Sequence, residues 1–166
     1  MKIGIGFDAH RFVRGRKLIL GGIEILYDWG LEGHSDADAL LHAVCDAMLG
    51  ALALGDIGKH FPDTDARYKG IASTELLRHV GEHVAQRGYR VGNIDATIVA
   101  EKPRIAPHVD AMRARIAAVL GCALDDVGIK ATTTEGMGFC GRGEGIAAMA
   151  VVLLEKVDKA ERLELR

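Results

Sequence analysis

Asp8 and His10 stand two residues apart in a stretch, residues 2–13, whose residues alternate in character. Ile3, Ile5 and Phe7 point one way and Gly4, Gly6, Asp8 and His10 the other, the period of a half-buried strand, so the acid and the imidazole project side by side. Both are costly there unless used. His42 lies in a later stretch that reads as a helix, with Asp38 and Asp46 one turn away on either side. Three nitrogen and oxygen ligands drawn from two elements suit a catalytic zinc site with an open fourth position. Asp46 is expected to orient His42 through its second ring nitrogen. Spacing alone leaves a plainer alternative open: a surface Asp-x-His pair and an unrelated helix histidine.

Two further clusters suggest an anionic ligand. His34-Ser35 opens the stretch that carries His42, and a helix N-terminus with free N–H groups binds phosphate, with His34 as an added donor. Ala131-Thr132-Thr133-Thr134-Glu135 ends in Gly136-Met137-Gly138. Its hydroxyls and backbone amides suit phosphate oxygens, and Glu135 suits a hard cation such as Mg²⁺, although strand threonines are also common for propensity alone. Two patterns are set aside. Gly136-x-Gly138-x-x-Gly141 matches a dinucleotide fingerprint, but too little chain follows it for the remaining βαβ units. His79-Val80-Gly81-Glu82-His83 matches an inverted zinc-protease motif, yet Gly81 weakens that helix and a solvated face is the simpler reading.

The elements that must position these residues follow from periodicity. A second strand is expected over Lys17–Leu26, broken at Gly21-Gly22, and a turn over residues 27–30. Ser35 followed by Asp38 resembles a capping box, and Leu41, Val44, Cys45, Met48 and Leu52 form the apolar stripe of a first helix. Residues 55–70 read as a long polar loop of functional kind. A second helix runs from Ser73 as N-cap to Gly88, a strand covers 89–101, and a third helix starts near Pro107 with Val109, Met112, Ile116 and Val119 inward. Strands are expected over 127–134 and over the continuously apolar Ile146–Leu154, with a charged, frayed tail from Lys156 to Arg166. The order predicts a single α/β domain over residues 1–166, an α+β sandwich with helices stacked on one face of a mixed β-sheet.

Composition bounds the partners. With 21 Lys and Arg against 23 Asp and Glu, the net charge of −2 argues against nucleic acid or an anionic membrane surface. Cys45, Cys122 and Cys140 are widely spaced and read as small buried apolar residues in a reducing compartment. The N-terminal stretch carries neither a signal-like apolar region nor a transit-like one, so a cytoplasmic location is expected.

Several ordered blocks resemble the 2-C-methyl-D-erythritol 2,4-cyclodiphosphate synthases. They are Gly6-Phe7-Asp8-Ala9-His10-Arg11-Phe12, Gly33-His34-Ser35-Asp36-Ala37-Asp38 with Leu41 to Ala47, Gly55-Asp56-Ile57-Gly58, Phe61-Pro62-Asp63-Thr64-Asp65, Asn93-Ile94-Asp95, and Lys130 through Gly145. The resemblance covers nearly the whole chain. It implies cyclisation of a CDP-linked methylerythritol 2-phosphate with release of CMP, a phosphorus–oxygen lyase of the non-mevalonate isoprenoid route. It further implies Zn²⁺ on Asp8, His10 and His42, Mg²⁺ or Mn²⁺ bridging the substrate diphosphate at Glu135, and His34 and Thr133 as transition-state stabilisers.

The same resemblance implies that Asp8, Ala9, His10, His34 and Ser35 touch substrate, and that Asp56, Ile57 and Gly58, with Phe61, Pro62, Asp63, Thr64 and Asp65, bind the methylerythritol part. Ala100, Glu101, Lys102, Pro103, Arg104, Ile105 and Ala106, together with Thr132, Thr133, Thr134 and Glu135, wall the cytidine and its phosphates. A homotrimer with sites between subunits is implied, with Phe7, Phe139, Arg142 and Glu144 lining an axial cavity suited to an isoprenoid diphosphate; interface packing with an Arg–Glu pair accounts for these four equally well. Two other classes compete: a non-catalytic nucleotide-binding module, and a zinc hydrolase acting through His79 and His83.

Overall fold

A computed structural model describes residues 1–157. Strand β1 (Lys2–Arg14) leads into a small hairpin, β2 (Leu18–Leu20) and β3 (Ile23–Ile25), and then β4 (Trp29–Leu31). Helix α1 (Ala39–Ala51), the short α2 (Ile57–His60) and helix α3 (Ser73–Gln86) follow. The chain continues through β5 (Tyr89–Val99), α4 (Val109–Leu120), β6 (Val127–Thr132), the short α5 (Gly138–Gly141) and β7 (Gly145–Lys156). The main sheet runs β4-β1-β7-β5-β6, antiparallel except for the β5–β6 pair. Helices α1, α3 and α4 cover one face, giving a two-layer mixed α/β domain.

The covered face of β1 is made of glycine. A methyl group on Gly4 would sit 1.9 Å from the Ala47 carbonyl oxygen, and one on Gly6 1.9 Å from that of Ala43. Helix α1 therefore lies almost on the strand backbone, and Ala43, Ala47, Ala148 and Ala150 complete a small-residue seam. Ile3, Ile5 and Phe7 occupy the opposite face and are 67%, 66% and 58% exposed. Their cross-strand neighbours Val151 and Met149 are exposed too. The continuous apolarity of residues 146–154 thus comes from two different faces: Ile146, Ala148, Ala150, Val152 and Leu154 in the core, Met149 and Val151 on a bare apolar surface.

Several local expectations change. Helix α1 begins at Ala39, capped by Asp38 rather than Ser35. Asp38 is fully buried, accepting from Leu41 N (3.0 Å), Gly21 N (2.9 Å) and Gly22 N (2.7 Å). The bend at Gly21-Gly22 supplies two donors that a local capping box cannot see, and Ala37 at φ 58° keeps residues 35–37 out of the helix. Ser73 is the first residue of α3, not its cap, and its amide is taken by Asp36 Oδ2 at 3.0 Å. Residues 27–30 are not all turn, because Trp29–Leu31 pair with β1. The 55–70 segment carries α2 and a 3-10 turn over Ala66–Tyr68. Lys156 closes β7 rather than starting a tail, and the rest of the expected fraying lies outside the described residues.

Candidate metal centre and substrate cleft

The glycine seam determines where His42 can reach. Because α1 rests against β1, His42 stands beside the middle of the strand, which carries Asp8 and His10. Asp8 Oδ2 lies 2.8 Å from His10 Nε2 and 2.9 Å from His42 Nδ1, and the two ring nitrogens are 3.1 Å apart. Among the described residues this is the one group of three acidic, histidine or cysteine side chains with ligand atoms so close together. Zinc at 2.0–2.1 Å from each donor in a tetrahedron would set them ~3.3 Å apart, near the observed triangle.

The surroundings aim all three lone pairs at one point. His10 Nδ1 donates to the Glu32 carbonyl oxygen at 2.7 Å, leaving Nε2 free as an acceptor. His42 Nε2 faces the hydroxyls of Ser35 (3.1 Å) and Ser73 (3.0 Å). Three acceptors within about 3 Å repel one another unless a cation sits among them. A proton can serve in part: burial disfavours charge on His10, yet the hydrogen bond and charge of Asp8 outweigh it and raise the imidazole pKa. Burial likewise works against Asp8 ionisation, but the imidazoles of His10 and His42 beside it hold its carboxyl well below the usual range. The donor set fits a divalent cation such as zinc.

Asp46 does not orient His42. It accepts from Ile57 N at 2.8 Å and anchors the start of α2. Nor do His34 and Ser35 sit at a free helix terminus, because the Asp38 carboxylate fills the N-terminus of α1. Arg16 instead shapes that loop, donating through Nη1 to the Gly33 carbonyl oxygen at 2.5 Å and through Nη2 to that of Ser35. His34 is left exposed between two pinned carbonyls.

A cleft of about 330 Å³ opens over the triangle, lined by Asp8, His10, His34, Ser35, His42, Ile57, Gly58, Phe61, Asp63, Tyr68, Ile71 and Leu76. Asp56 and Asp65 turn to local work, capping α2 through Lys59 N and pairing with Arg67. No local motif marks Arg16, Glu32 or Ser73 as site residues, since each acts through a long-range contact, nor Tyr68, Ile71 and Leu76, which line the cleft. A larger hollow of about 460 Å³ beside Val84, Tyr89 and Leu120 contains no such ligand group.

The threonine cluster lies elsewhere on the same sheet end. Asp8 pairs with Ala148, Ala148 with Ile98, and Ile98 with Ala131. Three strand spacings therefore separate Asp8 from the Thr132–Glu135 turn, ~14 Å. There Thr133 Oγ1 donates to Glu135 Oε1 at 2.6 Å, and the Glu101 carboxylate accepts from the amides of Thr134 and Gly136. Phe139 is exposed, and Arg142 Nε donates to Glu144 Oε1 at 2.6 Å. On α3, His79 Nδ1 pairs with Glu82 Oε2 at 3.3 Å and Arg78 bridges Glu75 and Glu82, a charged helix face. Gly138–Gly141 is a single helical turn, not the helix of a dinucleotide site.

Comparison with known proteins agrees with this architecture. The 2-C-methyl-D-erythritol 2,4-cyclodiphosphate synthase of Geobacter sulfurreducens is 64% identical over 156 residues, covering 94% of this chain and 99% of that protein. The bifunctional IspDF of Campylobacter jejuni superposes with a TM-score of 0.91 at 42% identity, over 95% of this chain and 42% of that longer one. A 2C-methyl-D-erythritol-2,4-cyclodiphosphate synthase solved in its CDP-bound form superposes with a TM-score of 0.85 at 37% identity, over 92% of this chain and 99% of that one. Residues 1–155 match the YgbB family, and the chain belongs to that family.

Proposed function

We propose that this chain is a phosphorus–oxygen lyase that converts 4-diphosphocytidyl-2-C-methyl-D-erythritol 2-phosphate into 2-C-methyl-D-erythritol 2,4-cyclodiphosphate and CMP, in isoprenoid precursor biosynthesis. The observation that carries this reading is the Asp8–His10–His42 triangle under a cleft edged by His34 and residues 57–63, in a chain of the YgbB family. An oxygen of the 2-phosphate forms a bond to the β-phosphorus as the bond from that phosphorus to the bridging oxygen breaks. CMP leaves with that oxygen, and no water is consumed. Both partners are anions, so positioning and charge neutralisation are the main tasks.

Zn²⁺ on Asp8, His10 and His42 would polarise the β-phosphate, with Mg²⁺ or Mn²⁺ at Glu135 and the diphosphate. His34 is the donor at the cleft mouth and steadies phosphate charge together with Thr133. Asp56, Ile57 and Gly58, with Phe61 to Asp65, hold the methylerythritol part; Ala100 to Ala106 and Thr132 to Glu135 hold the cytidine part. The ~14 Å between the triangle and that turn favours a site shared between copies. The bare apolar face around Ile3, Ile5, Phe7, Met149 and Val151 is suited to a homotrimer interface. Phe7, Phe139, Arg142 and Glu144 would then line an axial cavity for an isoprenoid diphosphate. Among the described residues no helix is long and apolar enough to cross a membrane, and a cytoplasmic location is proposed.

Incubating zinc-loaded protein with the CDP-linked substrate and Mg²⁺ should release one CMP per cyclic diphosphate and no inorganic phosphate, read by ³¹P NMR. Substrate binding without CMP would indicate a nucleotide-binding module and overturn the assignment; release of inorganic phosphate would indicate a hydrolase. Arg16→Ala loosens the loop that presents His34. Its two charge-assisted hydrogen bonds are partly solvated, so a loss of ~1–2 kcal/mol, roughly tenfold in kcat/KM, is expected. Zinc stoichiometry, measured by metal analysis, should stay unchanged.

A further inference from the structure

The His42 ring is engaged at both nitrogens, and its second nitrogen leads through Ser73 to residues outside the cleft. Nε2 lies 3.0 Å from Ser73 Oγ and 3.1 Å from Ser35 Oγ. A serine hydroxyl has one proton to give. Ser73 directs its proton to Asp36 Oδ1 at 2.5 Å, and an ionised carboxylate can only accept. The Ser73 oxygen therefore turns a lone pair toward His42, which must supply the hydrogen at Nε2. An imidazole that carries its hydrogen there has a bare Nδ1, the atom that faces Asp8 and His10. Ser35 makes no such choice: its oxygen accepts from Ala37 N at 3.1 Å, and its own proton fits either ring form.

The Asp36 carboxylate is itself fixed. Its Oδ2 accepts from Ser73 N at 3.0 Å, at the start of α3 where unpaired amides favour negative charge. Ser73 is fully buried. Neither residue lines the cleft, so neither is placed to touch substrate.

We infer that Asp36 and Ser73 are positioning residues for the metal: the carboxylate orients the hydroxyl, the hydroxyl holds His42 with its hydrogen on Nε2, and the ring thereby offers Nδ1 to a divalent cation. The inference rests on the metal reading of the triangle.

Competition titrations of full-length protein with a zinc chelator test it. Ser73→Ala should raise the zinc dissociation constant roughly ten- to hundredfold, and Ser73→Thr, which keeps the hydroxyl, should stay within roughly threefold of wild type. Asp36→Asn, which removes the charge behind the hydroxyl, should fall between them. In zinc-loaded wild type the His42 Nε2 hydrogen should appear in the NMR spectrum as a slowly exchanging proton close to Ser73, and should exchange faster in Ser73→Ala. Unchanged zinc affinity in Ser73→Ala, or equal weakening in the alanine and threonine variants, overturns the inference. Should Ser73→Ala fail to melt cooperatively, wild-type affinity in Asp36→Asn overturns it instead. Wild-type protein that takes up no zinc would remove the metal reading itself, a separate outcome.

Discussion

His42→Ala should abolish stoichiometric zinc binding and lower kcat/KM by on the order of a thousandfold. The triangle then keeps only Asp8 and His10, 2.8 Å apart, too few ligands for a stable site. Loss of a bound cation removes several kcal/mol of stabilisation from developing phosphate charge, and each 1.36 kcal/mol is a factor of ten. Metal analysis and CMP release measure the two effects together. His83→Ala is the matched control, because His83 sits on α3 and packs beside His60, with ring centroids 5.4 Å apart. Zinc lost from the His83 variant and retained by the His42 variant would move the metal centre to the other helix.

The second large effect is expected at Gly6, which has no side chain to offer a ligand. Its substituent would meet the backbone of α1, 1.9 Å from the Ala43 oxygen and 2.8 Å from the Ala47 nitrogen. Backbone cannot swing aside as a flexible side chain can, so α1 must lift from β1. Gly6→Val should cost on the order of 3 kcal/mol or more, beyond ordinary overpacking, which lowers Tm by roughly 10 °C in a domain of this size. Zinc affinity should fall as well, because the helix that rises carries His42. Gly50→Ala separates packing from helix propensity: its methyl would meet only the Ile5 oxygen at 3.8 Å, and it should be neutral or slightly stabilising. A Gly6→Val protein melting like wild type would mean that the close approach of α1 is not required.

Much of this arrangement is legible from the residues alone, and the rest fails for identifiable reasons. The two-residue period of β1 puts Asp8 and His10 together, and the stripe through Leu41, Val44, Cys45 and Met48 locates α1. Periodicity does not say which face of a strand is covered. In β1 the larger apolar residues lie on the open face and the glycines meet the helix, because close approach selects for missing side chains rather than for hydrophobic ones. Cap assignment failed at Ser35 because Asp38, held by the distant amides of Gly21 and Gly22, takes the cap of α1, and at Ser73 because its amide is taken by the distant Asp36. Arg16, Ser73 and Glu32 act through contacts 17 to 37 residues away along the chain, which no local motif encodes.

The gap of three strands between Asp8 and the Thr132–Glu135 turn also has a genetic meaning. If one reaction centre draws its metal ligands from one copy and its phosphate-binding turn from another, damage to either half is confined to the sites that include the damaged copy. Two dead proteins, His42→Ala and Glu135→Ala, should then regain CMP release when unfolded together and refolded as a mixture, since some mixed assemblies contain a site built from two intact halves. Mixtures that stay inactive would assign both halves to the same copy.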